Sequence, residues 1–169
     1  MNRRHWLMAG MGAALAVSAA LGQEDPGKTK IGRICVTVYH ATNGDLKEPA
    51  AKDAVPKETA ERMRKEERLR FKNYRLLGQD TQALLRSYES WAQPLKPSDE
   101  VLVRFEAQGQ PTKKSVVMDL ELWLGRKKIV KTDALLAGDR PLFVLGPEWR
   151  GGWLIISIAL APELKSELK

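Results

Sequence analysis

Residues 115 to 124 read SVVMDLELWL, and this stretch narrows the possible folds further than any other. Val116, Met118, Leu120, Leu122 and Leu124 alternate with Val117, Asp119, Glu121 and Trp123. Successive side chains of a strand point to opposite faces, so the pattern predicts a strand with one buried and one wet side. Trp153 to Leu160 is apolar and long enough for a central strand, and Arg33 to His40, Val101 to Phe105, Ile129 to Thr132 and Pro141 to Leu145 add shorter ones. Turn signals separate them at Asn43-Gly44, Gln108 to Pro111 and Gly125 to Lys128, with a loop at Gly146 to Gly152. Short strands at such spacing predict an α+β chain that is mainly β: an antiparallel β-sandwich or meander with one prominent surface helix.

That helix is expected over about 57–70. Pro56 suits a helix start, and Glu58 and Glu61 lie near the positive end of its dipole. Its apolar face is thin, with Ala60, Met63 and Leu69, which predicts weak docking as a surface helix or a partly mobile arm. Between 71 and 95, Gly78-Gln79-Asp80 interrupts the pattern, and strands are expected on either side of it, at Phe71 to Leu77 and Leu84 to Trp91.

The N-terminus carries a different message. Arg3 and Arg4 precede an uncharged apolar run, and small residues follow at Ser18-Ala19-Ala20 and Ala20-Leu21-Gly22. Charged start, short apolar middle and small-residue exit form a secretory signal peptide, here residues 1–22, of Sec or twin-arginine type. The 16 residues from Trp6 to Leu21 are fewer than the roughly 20 that span a bilayer, which disfavours the alternative of an uncut anchor. The exported chain is then expected as a disordered leader over 23–30, a single domain over 31–161 and a loose tail over 162–169. It would carry 26 basic against 21 acidic residues once Arg3 and Arg4 are gone, a net charge of +5. That balance suits contact with anionic envelope surfaces, and export argues against nucleic acid as a partner.

Chemistry is sparse. Cys35 is the only cysteine, so no internal disulfide forms, and its apolar surroundings predict burial. His40 is the only histidine beyond the signal, so one chain builds neither a histidine triad nor a paired-histidine metal site. Cys35 and His40 are five residues apart, and odd spacing sends them to opposite faces of a strand. No phosphate-cradling glycine loop, nucleophile elbow or cysteine pair is present, and no cofactor is implied. Carboxylates alone remain: Asp119 and Glu121 share a strand face, and are read there as the wet side of an amphipathic strand.

Two surfaces are candidates for binding. Trp149, Arg150 and Trp153 in the loop GPEWRGGW, together with Trp123, offer flat apolar area beside a charge. Arg62, Arg64, Lys65, Arg68 and Arg70 form a basic stretch on the helix, partly offset by Glu58, Glu61 and Glu66, each four residues before a basic partner. Lys131 to Gly146 resembles the strand–turn–strand of secretin outer-membrane channels over about 16 residues, lacks that family's other segments, and transfers no functional residue. The expected function is an exported, non-catalytic interaction module serving another envelope or secreted protein. The alternatives are a small-ligand binder or carboxylate-based hydrolase, and a binder of anionic envelope surfaces through the basic helix.

Overall fold

The computed structural model describes residues 24–45, 54–112, 114–138 and 140–161. The expected signal peptide and the expected tail at 162–169 lie outside them. The elements are β1 (Lys30–Thr42), α1 (Lys57–Lys65), β2 (Asn73–Leu85), β3 (Ser90–Ala92), β4 (Val101–Thr112), β5 (Ser115–Leu124), β6 (Lys127–Ala137), β7 (Leu142–Trp149) and β8 (Gly152–Leu160). Among the described residues the chain is mainly β with one α-helix, as its periodicity predicts. Two four-stranded antiparallel sheets form, in the orders β2-β1-β8-β7 and β3-β4-β5-β6. The second runs in chain order as a meander, whereas the first joins the two ends of the domain by pairing β1 with β8.

One face of each sheet enters a shared core. Ile34, Val36 and Val38 of β1 and Leu154, Ile156 and Ile158 of β8 belong to the same cluster as Val103 and Phe105 of β4 and Met118, Leu120 and Leu122 of β5. Their period of two is the reason for both the strands and the burial. The other face of the first sheet is covered by α1. Met63, fully buried, and Ala60 pack with Tyr74 of β2 and with Tyr39, Ala41 and Ile155, whose odd positions on β1 and β8 place them opposite the shared core. Burying Met63 alone stabilises the fold by roughly 1.5–3 kcal/mol, so the helix is docked rather than an arm.

The helix is also shorter than expected. It ends at Lys65, Glu66 turns extended, and a 3-10 turn at Glu67–Leu69 follows. This break lets Leu69 join the cluster under α1, where the Tyr74 hydroxyl donates to its carbonyl at 2.7 Å. The expected break at Gly78 is absent too: β2 runs through it, paired with β1 along its length. Gly109 to Pro111 lie inside β4, which runs to Thr112, and β5 starts at Ser115, so the chain does not reverse at 108–111.

The loop expected at Gly146 to Gly152 collapses into strand. β7 continues to Trp149 through an irregularity between Leu145 and Glu148, leaving only Arg150-Gly151 as the turn. Both turn residues have positive φ, 48° and 74°, the geometry that matches the twist of a two-residue hairpin. At the other end of the chain, residues 25–30 are ordered against the end of β2 and the segment 86–88 that follows it, rather than disordered. Asp25 caps a 3-10 turn at Pro26–Lys28, the Tyr88 hydroxyl donates to its carboxylate, and the Arg86 amide donates to the Thr29 carbonyl. Cys35 is half-buried, not in the core, because Ile34 and Val36 take the inward positions; Gln79 Nε2 donates to its sulfur.

Candidate binding face

The outward side of the β3–β6 sheet concentrates the polar chemistry of the molecule. Register explains how. Arg104 of β4 lies opposite Glu121 of β5, which lies opposite Lys131 of β6, a row of alternating sign. The next row, Glu106, Asp119 and Asp133, is wholly acidic and needs cations from outside itself. Arg104 and Lys131 supply them diagonally. The Arg104 guanidinium donates to Glu106 at 2.8 Å, to Asp119 at 3.0 Å and to Glu89 beside β3. Lys131 Nζ lies 3.3 Å from Asp119 Oδ2 and 3.4 Å from Glu121 Oε1. Glu89 first, with Asp119 and Glu121, holds Arg104 firmly in its charged form.

Asp119 and Glu121, expected on a wet face, are therefore covered. Glu121 is 5% exposed and sits under Lys128, whose Nζ is 3.1 Å from Oε1. The Lys128 hydrogen bond, helped by Trp123 and Lys131, overcomes burial and holds the Glu121 carboxyl below the ordinary glutamate range. A carboxylate kept ionised this way is a poor proton donor at neutral pH. Among the described residues no group of three His, Cys, Asp or Glu side chains is arranged around a metal position.

At the β3 end of this face the lattice supports two indoles. Trp91 and Trp123 lie with ring centroids 6.0 Å apart and planes inclined at 52°. Each indole N–H is tied to a carboxylate of the network: Trp91 to Glu89 at 3.3 Å and Trp123 to Glu121 at 3.0 Å. Lys128 Nζ stands 5.4 Å from the Trp123 ring centroid. Trp91 remains 41% exposed, so the pair is fixed in orientation yet open to solvent. Sequence reading missed Trp91, Arg104, Lys128 and Lys131. Arg104 carried a usable signal, as the one cation in the strand VLVRF; Trp91 did not, since its partner is 32 residues away in the chain.

The other candidates are dispersed. Trp149 is half-buried at the edge of the shared core, its indole N–H donating to Glu100 at 3.0 Å, its ring 5.6 Å from that of His40 and under the Arg150 guanidinium at 4.3 Å. His40 is itself buried, bonds the Trp149 carbonyl at 3.2 Å, and is pushed by that burial below the usual histidine pKa. Trp153 is 38% exposed on β8, beside Thr42, Phe71 and Gly151. Trp123 thus stands apart from Trp149 and Trp153, on the other sheet, and the four residues make no single surface.

Nor does the basic helix present one stripe. Arg62 pairs with Glu58 at 2.9 Å as its spacing predicts. Arg64 caps the ring of Tyr74 at 5.2 Å and reaches the Lys72 carbonyl, while Arg70 donates to the Arg64 carbonyl at 3.1 Å, because the helix has ended before Glu66 could pair with it. Glu61 lies 3.9 Å from Lys57. Lys65 and Arg68 complete the set on exposed backbone beyond the buried Met63.

No helix among the described residues is long and apolar enough to cross a membrane. No protein family, curated protein or solved structure matches the chain.

Proposed function

We propose that this chain is an exported, non-catalytic interaction module of the bacterial envelope or its surroundings, docking a partner protein on the outward face of β3–β6. One observation carries the reading. Trp91 and Trp123 are anchored through their N–H groups to carboxylates that Arg104 and Lys128 hold in place, yet Trp91 is 41% exposed. An aromatic pair fixed before binding loses little conformational freedom on docking, and tryptophan beside a cation is the composition of interface hot spots. The ionised Glu121 and the spanned carboxylates argue for recognition over turnover.

The experiment is capture of envelope proteins on the tagged chain, with mass spectrometry, comparing wild type with Trp91→Ala. A partner retained by wild type and lost by the folded variant supports the proposal; identical captures sink it. Export is tested separately by N-terminal sequencing of protein recovered from the periplasm or medium, with Gln23 expected first.

A further inference from the structure

Four strands stand at the edges of the two sheets, and an edge invites a further strand unless something blunts it. β3 is only three residues long. β7 contains Pro147 and an irregularity between Leu145 and Glu148. β2 has the segment after β3 laid across it at Gly78 and anchored by Asp80. β6 differs. It runs for 11 residues without proline or glycine, and among the described residues only the bridge from Ala137 to Arg140 touches its outer edge. Its start is guarded by Lys127 and Lys128, and the ladder with β5 passes over Ile129 as a bulge would. Beyond that point the strand is regular and mostly exposed. Leu135, at 65%, is the most exposed large apolar side chain among the described residues, and Ile129 is exposed as well.

The segment from Ile129 to Leu135 reads IVKTDAL and is complementary to itself about Thr132. Antiparallel pairing centred there sets Lys131 opposite Asp133, Val130 opposite Ala134, and Ile129 opposite Leu135. Neighbouring registers fail: a shift of two residues opposes Lys131 to Lys131 or Asp133 to Asp133, and a shift of one turns the core-facing residues outward. Charge within one copy leaves the same gap. Asp133 ends the acidic row of Glu106 and Asp119, yet among the described residues no cation pairs with it. Lys131 reaches Asp119 and Glu121, and its ammonium has a third donor. We propose that β6 pairs antiparallel with β6 of a second copy about a two-fold axis at Thr132, joining two four-stranded sheets into one of eight. Each contact then occurs twice, as in any isologous interface. The axis is normal to the sheet, so both outward faces stay on one side. Trp123 lies opposite Lys128, which sets the two indole pairs about 25 Å apart at ordinary strand spacing and rise. The pairing goes beyond the indole face and does not depend on it.

The test is sedimentation velocity of the purified chain from about 5 to about 500 µM. A monomer–dimer equilibrium is expected, with a Kd on the order of 10–100 µM because a seven-residue strand pair is a small interface. Asp133→Lys should weaken association at least tenfold with an unchanged or higher Tm, since it also removes a carboxylate from the acidic row. Lys131→Asp should weaken it likewise. Mixed in equal amounts, these two variants should form a heterodimer about as tight as the wild-type dimer, because every cation again faces a carboxylate. Misfolding cannot imitate that recovery. Trp91→Ala should dimerise as wild type does, whatever becomes of the partner protein. The inference is overturned if the chain stays monomeric throughout, which leaves the edge to a strand of another protein, to residues 162–169 or to solvent. A dimer that survives Asp133→Lys overturns it as well, since the association then lies elsewhere. So does a mixture of the two folded variants that fails to associate.

Discussion

The Cβ that Gly78 lacks would stand 2.1 Å from the carbonyl oxygen of Pro94. The segment after β3 therefore crosses β2 against bare backbone, and Asp80 ties the crossing down. Its carboxylate accepts from Gln82 at 2.9 Å, from the Gln93 amide at 2.8 Å and from Lys96 at 2.8 Å. Backbone cannot retreat as a flexible side chain can, so Gly78→Ala is expected to cost at least about 2–3 kcal/mol. Gly32→Ala, with open space around it, should be neutral or slightly stabilising. Urea unfolding of the two variants side by side checks the contrast.

Arg104 spans carboxylates from three strand segments, and deleting its guanidinium leaves Glu106 and Asp119 facing each other across β4 and β5. Arg104→Met, which keeps the apolar stem, is expected to lower stability by about 2 kcal/mol. High salt should recover part of that loss by screening the exposed carboxylates, a comparison for chemical denaturation at two ionic strengths.

The four tryptophans among the described residues serve different ends. Trp149→Ala removes a half-buried ring from the core edge together with its hydrogen bond to Glu100, and is expected to cost about 3 kcal/mol. Trp91→Ala should cost less than about 1 kcal/mol, because the ring is largely outside the core. Thermal unfolding of both separates structural from surface tryptophans, and a Trp91 variant that melts like the Trp149 variant would falsify the reading of a free indole face.

Acid should destabilise the domain in two steps. Burial depresses His40 below its ordinary 6.5, so the unfolded chain takes up that proton first; stability is full at higher pH and falls as pH drops below about 6.5. Burial would raise Asp80, but Lys96, the Gln93 amide and Gln82 prevail and hold it below 3.8. Its contribution is therefore present above that pH and lost as pH falls through the depressed value. His40→Gln should abolish the first step and leave the second, as read from denaturation midpoints across pH 3 to 8.

Glu121 offers a local check on the lattice. Lys128→Ala removes the largest influence depressing its carboxyl, so titration should move up towards the ordinary 4.5. The stability this group contributes, full above its unfolded pKa and lost as pH falls through the folded one, should then be smaller, with its loss complete at a higher pH than in wild type. Side-chain carbonyl NMR of Glu121 reads the shift directly.

Much of the fold was legible because strand alternation is a local property. Val116 to Leu124 placed five apolar residues inward, and all but the half-buried Leu124 are essentially inaccessible. Turn chemistry was less legible. Gly78, Gly109 and Gly146 all looked like chain reversals, yet each lies within a strand. A glycine states that a side chain is missing, not why. At Gly78 the reason is Pro94 and at Gly146 it is Leu154 and Ile156, neighbours that appear only when the strands are assembled.

The sequence by itself determined that the chain is mainly β, which residues of β1, β5 and β8 turn inward, and which side chains are available for chemistry. Tertiary structure decided which of those side chains meet. Trp91 reaches Trp123 across β4, Arg104 collects carboxylates from β5 and from the segment before β3, and Trp149 and Trp153 are parted from Trp123 by lying on the other sheet. The reason is physical: the face a residue takes follows from the backbone alternation around it, whereas its partner is set by strand order and register, which depend on how the whole core packs.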